Sequence, residues 1–210
     1  MQAKNVLIAA NGTWPNQAIW KPLVNCSDII IACDGALVQL LQNDIIPNFI
    51  VGDLDSIPQQ MFGSQIEQLG ITVIPMPNQD SNDLAKALQY CKDLDSTNID
   101  VIGVEGGRLD HQIGAYFSLC EQRSNAILHL DNWTARLVPR EGLVFDSIEK
   151  GKNISLFAIG TVNGVNLSGV KWSLNNQQLL PGTNGLHNES SGGRIQISHL
   201  EGHLLVLLER

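Results

Sequence analysis

The chain has 210 residues, of which 43% are hydrophobic and 16% are charged, and this is enough to bury a core as one large domain or two small ones. The net charge of −8 argues against a nucleic-acid-binding protein, because Lys and Arg contacts to phosphates dominate that affinity. The sequence also has neither the basic cluster of a membrane-surface protein nor the roughly 20 consecutive apolar residues of a membrane span, so we expect no membrane association.

The first apolar run, at residues 6–10, is too short for the core of a signal peptide and predicts a strand. The four cysteines contain no CxxC pair, and we expect buried free thiols rather than disulfides or a zinc site. Free thiols are typical of a reducing compartment. We therefore expect a cytoplasmic protein.

The first 135 residues alternate between short apolar runs and segments with helical periodicity. Runs rich in Ile and Val predict strands at residues 5–10, 28–33, 49–52, 71–74, 99–104 and 126–130. Three intervening segments place apolar residues three and four positions apart, namely GALVQLLQND, SNDLAKALQYCKDLD and LDHQIGAYFSLCEQR. Strands connected by helices predict an α/β domain with a mostly parallel sheet.

The pattern changes near residue 140. The segments NISLFAIG, VNGVNLSGVKW, GRIQISHL and HLLVLLER are short, alternate in polarity and are separated by Gly and Asn turns. This pattern predicts an all-β domain, an antiparallel sandwich or small barrel of roughly 70 residues. The connection near residues 136–142 is the predicted boundary, and it divides the chain into residues 1–138 and 139–210.

Polar and acidic residues follow the predicted strands, at the carboxyl ends where open α/β sheets bind ligands. In chain order they are Asn11-Gly12, Asp34-Gly35, Asp53-Leu54-Asp55, the segment from Gln79 to Asp83, and the segment from Gly106 to His111. If the strands are neighbours, one rim of the sheet is acidic and carries one arginine, Arg108.

Asp53 and Asp55, in the segment VGDLDSI, repel one another unless a cation, hydrogen bonds or water compensate them. In an extended backbone both side chains point to the same side of the sheet. Facing carboxylates suit Mg²⁺, which prefers oxygen ligands and bridges to substrate phosphates. With Arg108, the acidic rim predicts a metal-dependent nucleotide triphosphate site, although the chain has no Walker A or protein-kinase signature.

Structural alternatives stay open for several of these residues. Asp34 is also typical of a helix N-cap, and either Asp80 or Ser81 suits the cap of the following helix. Gly106-Gly107 fits a turn as well as a phosphate-binding loop. His111 by itself fits a packed or capping histidine.

Four segments, ACDGAL, VGDLDSI, QDSNDLAKAL and GGRLDH, resemble in order and spacing the thiamin pyrophosphokinase family. The later segment LSGVKWSLNNQQLLPGTNGLHNES is similar to that family's C-terminal part, so the resemblance covers nearly the whole chain. It implies an α/β domain followed by a β-sandwich domain, in a homodimer with the active site between subunits. It also implies transfer of the pyrophosphoryl group of ATP to the hydroxyl group of thiamine, which gives thiamine diphosphate and AMP.

The resemblance also implies residue roles. Mg²⁺ ligands are expected at Asp53, Asp55 and Asp83, and catalytic roles at these three together with Arg108 and Asp110. Asp83 and Asp110 are alternatives for the acceptor of the hydroxyl proton. The residues expected to bind substrate are Asn11, Asp34, Gln79, Asp80, His111, Trp172 and Asn188.

Trp172 is expected to stack on thiamine from the partner subunit, because an indole face attracts a cationic aromatic ring. A buried position in the sandwich core is its alternative. Asn82 stands where the family commonly has Thr, and His187 stands where it commonly has Ser, so the hydrogen bonds at these positions are uncertain. Two rival functions also stay open: a pyrophosphokinase of the same scaffold for another alcohol, such as a hydroxymethylpterin, and a non-catalytic nucleotide or thiamine sensor.

Overall fold

The computed structural model describes residues 4–53, 64–94 and 96–210. The chain divides into two compact units, Met1–Asp131 and Asn132–Arg210. No helix in the described ranges is long and apolar enough to cross a membrane.

The first unit contains a six-stranded parallel sheet, as the sequence predicts. Its strands are β1 (Lys4–Ala9), β2 (Ile29–Cys33), β3 (Phe49–Gly52), β4 (Thr72–Pro75), β5 (Ser96–Ile102) and β6 (Ile127–His129). The strand order is β4-β3-β2-β1-β5-β6, and each pairing is parallel. Residues Val6, Leu7, Ile8 and Ala9 of the central strand β1 have no exposed surface, which is typical of a strand covered on both faces.

Helices connect these strands. They are α1 (Gln17–Cys26), a short 3-10 helix (Asp34–Ala36) followed by α2 (Leu37–Gln42), α3 (Ser64–Gln68), α4 (Asp83–Asp93) and α5 (Leu109–Gln122). The helical periodicity of the sequence is reflected in α4, which buries Leu84, Leu88 and Cys91.

The order of the strands fixes the place of the ligand site. The chain runs from β1 to β2, β3 and β4 on one side of the sheet and then returns to β5 on the other side of β1. The strand order therefore reverses between β1 and β5, and open α/β sheets bind ligands beyond the carboxyl ends of the strands at such a switch point.

The second unit is antiparallel throughout the pairings found. Its strands are β7 (Trp133–Leu137), β8 (Leu143–Ile148), β9 (Asn153–Ser168), β10 (Leu174–Leu179), β11 (Asn188–Glu189), β12 (Gly193–Ser198) and β13 (Glu201–Glu209). Residues 153–163 of β9 pair with β13 and β11, and residues 162–168 pair with β10 and β12. Apolar side chains from both sets of strands form one core cluster.

Two expectations differ from the structure. The division at residues 138/139 assigns the strand at 133–137 to the first domain, whereas β7 pairs with β13 of the second unit. All four cysteines are free, but only Cys33 and Cys91 are buried; Cys26 is exposed at the end of α1. An alternating strand does not reveal its partner, and a small apolar residue at a helix end does not need burial.

Candidate active site

A cavity of about 580 Å³ opens at the switch point of the first unit. It is lined by residues 10–12 after β1, Cys33 at the end of β2, Asp53 after β3, Gln79 and residues 81–84 and 86 at the start of α4, residues 103–104 and 106–108 after β5, and His111, Gln112 and Ala115 of α5. Of the predicted site residues, the fold therefore brings together Asn11, Asp53, Gln79, Asp83, Arg108 and His111. Asp34, Asp80 and Asp110 are not among the residues that line this cavity.

The loops that follow β1 and β5 approach closely. The amide of Gly12 donates a hydrogen bond to the carbonyl of Gly103 at 2.7 Å. Asn11 lies so near the backbone of Gly35 that a Cβ atom there would collide with its side chain. Asn11 therefore lies against the start of the 3-10 helix and also lines the cavity.

Two carboxylates meet around one buried ammonium group in this cavity. Asp53 follows β3, Asp83 is the first residue of α4, and Lys86 lies one helical turn later with only 3% of its side chain exposed. Lys86 Nζ is 3.2 Å from Asp83 Oδ1 and 3.6 Å from Asp53 Oδ2. Gln79 Nε2 also donates to Asp53 Oδ2, at 3.3 Å. The sequence analysis did not assign a role to Lys86, although its i,i+3 spacing from Asp83 is a signal for this pairing.

The described residues fit part of a magnesium site. Asp55, the third expected ligand, lies outside the described residues, and among those that are described no group of three His, Cys, Asp or Glu residues is placed to hold a metal ion. Asp53 and Asp83 nevertheless offer hard oxygen donors that already converge on one cation, the ammonium group of Lys86. Such a donor pair suits Mg²⁺, which binds proteins through one or two carboxylates and completes its shell with water and phosphate.

Asp34 is buried beside Gly52, the residue that precedes Asp53. It is 2% exposed, its Oδ1 accepts a hydrogen bond from Gly35 N at 2.5 Å, and its side chain packs against Gly52. It is the first residue of the 3-10 helix, not its N-cap, which is Cys33. Burial, together with the charges of Asp83 and Asp34, raises the pKa of the Cys33 thiol well above its ordinary value, so this thiol stays protonated beside the cavity.

The start of α4 is capped by Asn82, and neither Asp80 nor Ser81 fills that role. Asn82 Oδ1 accepts hydrogen bonds from Ala85 N at 2.8 Å and from the Ser118 hydroxyl group on α5 at 2.9 Å. The backbone amide of Asp80 donates instead to Asn78 Oδ1 at 2.7 Å, within the loop. Asn82 thus serves as the cap in place of the Thr expected from the family, because either side chain supplies an oxygen acceptor.

The loop after β5 presents glycines and an arginine to the cavity. Gly106 and Gly107 both have positive φ angles, 69° and 67°, which favour glycine. Arg108 is exposed and binds Asp110 through two hydrogen bonds, Nε to Oδ1 at 3.1 Å and one terminal nitrogen to Oδ2 at 2.6 Å. The hydrogen bond from Arg108 lowers the pKa of Asp110, which stays ionised. The backbone amide of His111 also donates to this carboxylate.

In the second unit, Trp172 is exposed and its backbone is held by Asn188. Trp172 lies in the connection between β9 and β10 and is 53% exposed, so the alternative of a core position is wrong. Asn188 is buried; its Oδ1 accepts from Trp172 N at 3.1 Å and its Nδ2 donates to Trp172 O at 2.7 Å. Lys171 Nζ is 4.4 Å from the indole centroid, so the ring face already carries a cation.

His187, the second departure from the family, precedes Asn188 in a left-handed conformation with φ 59°. Its backbone amide donates to Ser155 Oγ at 3.4 Å. This contact is made by the backbone of residue 187, so it does not depend on the side chain.

Two family models match the chain. One is described as thiamin pyrophosphokinase, catalytic domain, and it matches residues 20–129, more than half of the chain. The other is described as thiamin pyrophosphokinase, vitamin B1 binding domain, and it matches residues 142–202. The first range contains the acidic pair and Arg108, and the second contains Trp172 and Asn188.

Curated relatives match over different lengths. Thiamin pyrophosphokinase 1 of Caenorhabditis elegans is 37% identical over 98 residues, which cover 42% of this chain and 38% of the relative. Thiamine pyrophosphokinase 2 of Arabidopsis thaliana is 26% identical over 181 residues, which cover 81% of this chain and 64% of the relative. The chain thus spans less than two thirds of these relatives. Thiamine pyrophosphokinase of Bacillus subtilis is 27% identical over 214 residues, 97% of this chain and 93% of the relative.

Solved structures share the fold across the chain. The crystal structure of thiamine pyrophosphokinase from Bacillus subtilis has a TM-score of 0.78 at 24% identity and covers 98% of this chain and 99% of its own. That of a thiamin pyrophosphokinase family protein from Enterococcus faecalis has a TM-score of 0.80 at 19% identity, with coverage of 98% and 99%. At these identities the likeness shows the fold alone.

Proposed function

Because the chain belongs to the thiamin pyrophosphokinase family, we propose that it transfers the pyrophosphoryl group of ATP to the hydroxyl group of thiamine and releases AMP. The observation that carries the proposal is the convergence of Asp53 and Asp83 on one buried cation, in the same cavity as Gly106 to Arg108. Backbone amides and a guanidinium group bind the oxygens of nucleotide phosphates directly. Carboxylates bind the same phosphates through a metal cation that they hold.

We assign the ATP and metal site to the first domain and thiamine binding to the second, and we move the boundary expected at residues 138/139 to residues 131/132 because β7 pairs with β13. The matches of the catalytic and vitamin B1 binding models to residues 20–129 and 142–202 support this division. We also expect the second domain to be a β-sandwich, because apolar residues from both sets of strands share one core cluster.

Asp53, Asp55 and Asp83 are the proposed Mg²⁺ ligands. When bound, Mg²⁺ supplies positive charge that neutralises the phosphates and the charge that develops on the leaving group. Gln79 donates a hydrogen bond to Asp53 Oδ2 and lines the cavity, so it is proposed to orient Asp53 and to contact the phosphates of ATP. Arg108 and the amides after Gly106 bind phosphate oxygens.

The proposed reaction forms one bond and breaks one. The hydroxyl oxygen of thiamine attacks the β-phosphorus of ATP in line, the bond from that phosphorus to the α-phosphate oxygen breaks, and AMP leaves with the electron pair. A carboxylate accepts the hydroxyl proton. Asp83 and Asp110 are the two candidates: Asp83 lines the cavity but is paired with Lys86 and is a proposed metal ligand, whereas Asp110 is bound to Arg108 and is absent from the cavity lining.

The exposed indole of Trp172 is the proposed surface for the cationic rings of thiamine. Asn188, which was expected to contact thiamine, uses its side-chain amide on the backbone of Trp172 and is therefore proposed to position that residue. We further propose a homodimer in which Trp172 of the partner subunit completes each active site.

The proposal is tested by incubating the chain with thiamine, ATP and Mg²⁺. We expect thiamine diphosphate and AMP in equal amounts, and no reaction after a chelator removes the metal. ADP as the product, or AMP formed only with another alcohol such as a hydroxymethylpterin, contradicts the thiamine assignment; nucleotide binding without turnover favours the sensor.

A variant tests the role of the acidic pair in the same assay. Asp53→Asn should lower turnover by about a hundredfold or more, because an amide oxygen is a weaker metal ligand than a carboxylate. The control is Asp93→Asn, at the exposed end of the same helix that carries Asp83, and it should react normally. Near-normal turnover of Asp53→Asn contradicts the metal role.

A further inference from the structure

The ammonium group of Lys86 is buried and contacts both Asp53 and Asp83, two of the proposed metal ligands. Its side chain is 3% exposed, yet it lines the cavity together with Asp53 and Asp83. Burial of an ammonium group is costly unless carboxylates pair with it, so the contacts at 3.2 Å and 3.6 Å hold Lys86 in place.

The backbone fixes this position. Asn82 caps α4 and is tied to Ser118, which sets the direction of the first turn of the helix. Asp83 and Lys86 are three residues apart, so both side chains lie on the same face of that turn.

The positive charge of Lys86 opposes the binding of a divalent cation by Asp53 and Asp83. Asp53 and Asp83 together carry two negative charges, and Lys86 cancels one of them. A divalent cation that binds the same carboxylates also comes close to a like charge, and like charges oppose one another strongly in a partly desolvated site. Triphosphate oxygens supply the missing negative charge and further oxygen ligands.

We propose that Lys86 is the resident counter-ion of the acidic pair: it keeps Asp53 and Asp83 together in the free chain and weakens the binding of divalent cations until a nucleotide triphosphate is present. The metal then enters the site with the nucleotide, and the two bind cooperatively, each raising the affinity for the other by the same factor. This inference rests on the proposed function for the metal role of Asp53 and Asp83 and for the identity of the nucleotide.

Binding of Mn²⁺ to the full chain without nucleotide tests the proposal, with the free ion measured by electron paramagnetic resonance. Wild-type chain should bind Mn²⁺ weakly, and Lys86→Met should bind it on the order of tenfold more tightly or better, because the opposing charge is gone. Lys86→Arg keeps the charge and should bind like the wild type. Lys92→Met, on the exposed face of the same helix, is the matched control and should also bind like the wild type.

The second arm adds α,β-methylene-ATP, in which the bond to be broken is replaced. In the wild type, this analogue should raise the affinity of the chain for Mn²⁺ by at least about tenfold, and in Lys86→Met the increase should shrink. A merely structural ion pair would lower the unfolding temperature of Lys86→Met without tightening Mn²⁺ binding, and that result overturns the proposal.

The wild-type chain decides the matter if Lys86→Met does not fold. Tight Mn²⁺ binding by the wild type without nucleotide, equal to that with the analogue, overturns the proposal; weak binding that the analogue strengthens supports it. Failure of the analogue to bind contradicts the proposed function instead, and the comparison of Mn²⁺ binding without nucleotide still decides the role of Lys86.

Discussion

Several polar side chains hold the backbone of other residues in place. Asn188 is the clearest case, since both ends of its side-chain amide are bound to the backbone of Trp172. Its Oδ1 also accepts a hydrogen bond from Glu189 N at 2.9 Å. This buried amide fixes the position of the exposed indole, which is the proposed surface for thiamine.

Asn188→Ala should therefore raise KM for thiamine and leave KM for ATP unchanged, because only the position of Trp172 is lost. The free energy of unfolding should fall by about 1–3 kcal/mol, the usual cost of leaving buried backbone groups without a partner. Steady-state kinetics and urea denaturation measure the two effects. Asn175→Ala, at an exposed position of β10, is the control; equal KM values for thiamine in the two variants would contradict the positioning role.

The pairing of Arg108 with Asp110 changes the pH at which the Asp110 carboxylate takes up a proton. The hydrogen bond from Arg108 lowers the pKa of Asp110 below its ordinary value, so any stability from the pair is present at neutral pH and is lost as pH falls through the lowered pKa. Both groups are exposed, so the effect on global stability should be negligible.

Arg108→Gln should let the pKa of Asp110 rise toward its ordinary value, which a carboxyl-detected NMR titration measures directly. The internal control is Glu209, whose pKa is lowered by hydrogen bonds from Asn153 in the second unit and should not move. An unchanged Asp110 titration in the variant would show that the pairing does not persist in solution.

At the scale of elements, the N-terminus of α4 organises the acidic pair. Ser81, Asn82 and Asp83 are three consecutive polar residues. Asn82 is the one that caps the helix, and its side chain also accepts a hydrogen bond from Ser118 on α5. That second contact joins two helices that are far apart in the sequence, so local capping preferences alone could not identify it.

Asn82→Ala should lower the free energy of unfolding by about 1–2 kcal/mol, since the helix loses its cap and the contact to α5. Asn82→Thr should recover most of this loss, because a hydroxyl group also accepts from Ala85 N. Chemical denaturation gives both values. Ser118→Ala removes the contact to Asn82 together with the hydroxyl contact to the carbonyl of Gly114 within α5, but it leaves the cap in place, so its cost should be the smaller one. A larger cost than that of Asn82→Ala would mean that the cap itself contributes little.

The strands β1, β2 and β3 were predictable because most of their residues are buried and their apolar runs lie between helical segments. The sequence also predicted that Asp53, Asp83 and Arg108 lie close together, because the carboxyl ends of parallel strands lie at one edge of the sheet. Lys86 was not predicted, because a lysine in a helical segment is usually solvated and only the fold shows that it is buried.

In the second unit the sequence analysis divided β9 into two strands. The structure shows one strand of 16 residues, Asn153–Ser168, whose two parts pair with different strands. The division followed the glycines near its centre, and Gly160 and Gly164 do have positive φ angles. The pairing continues past them, because strand length depends on partners that lie elsewhere in the chain.

At the scale of the whole molecule, the proposed reaction needs groups from both units. The acidic pair lies in Met1–Asp131 and Trp172 lies in Asn132–Arg210. In the proposed homodimer, each active site combines the first unit of one subunit with the second unit of its partner. Chains with a defect in different units should therefore complement one another, whereas chains with defects in the same unit should not.

Two differently tagged chains, Asp53→Asn and Trp172→Ala, test this arrangement after coexpression and purification of the mixed dimer. One of its two sites then has both substitutions and the other has neither, so it should show about half of the wild-type activity while each parent dimer is nearly inactive. A mixed dimer of Asp53→Asn and Asp83→Asn is the control, because both of its sites keep one defect and it should stay inactive. If each site is instead built from a single chain, the first mixed dimer is as inactive as the control, and the shared active site is disproved.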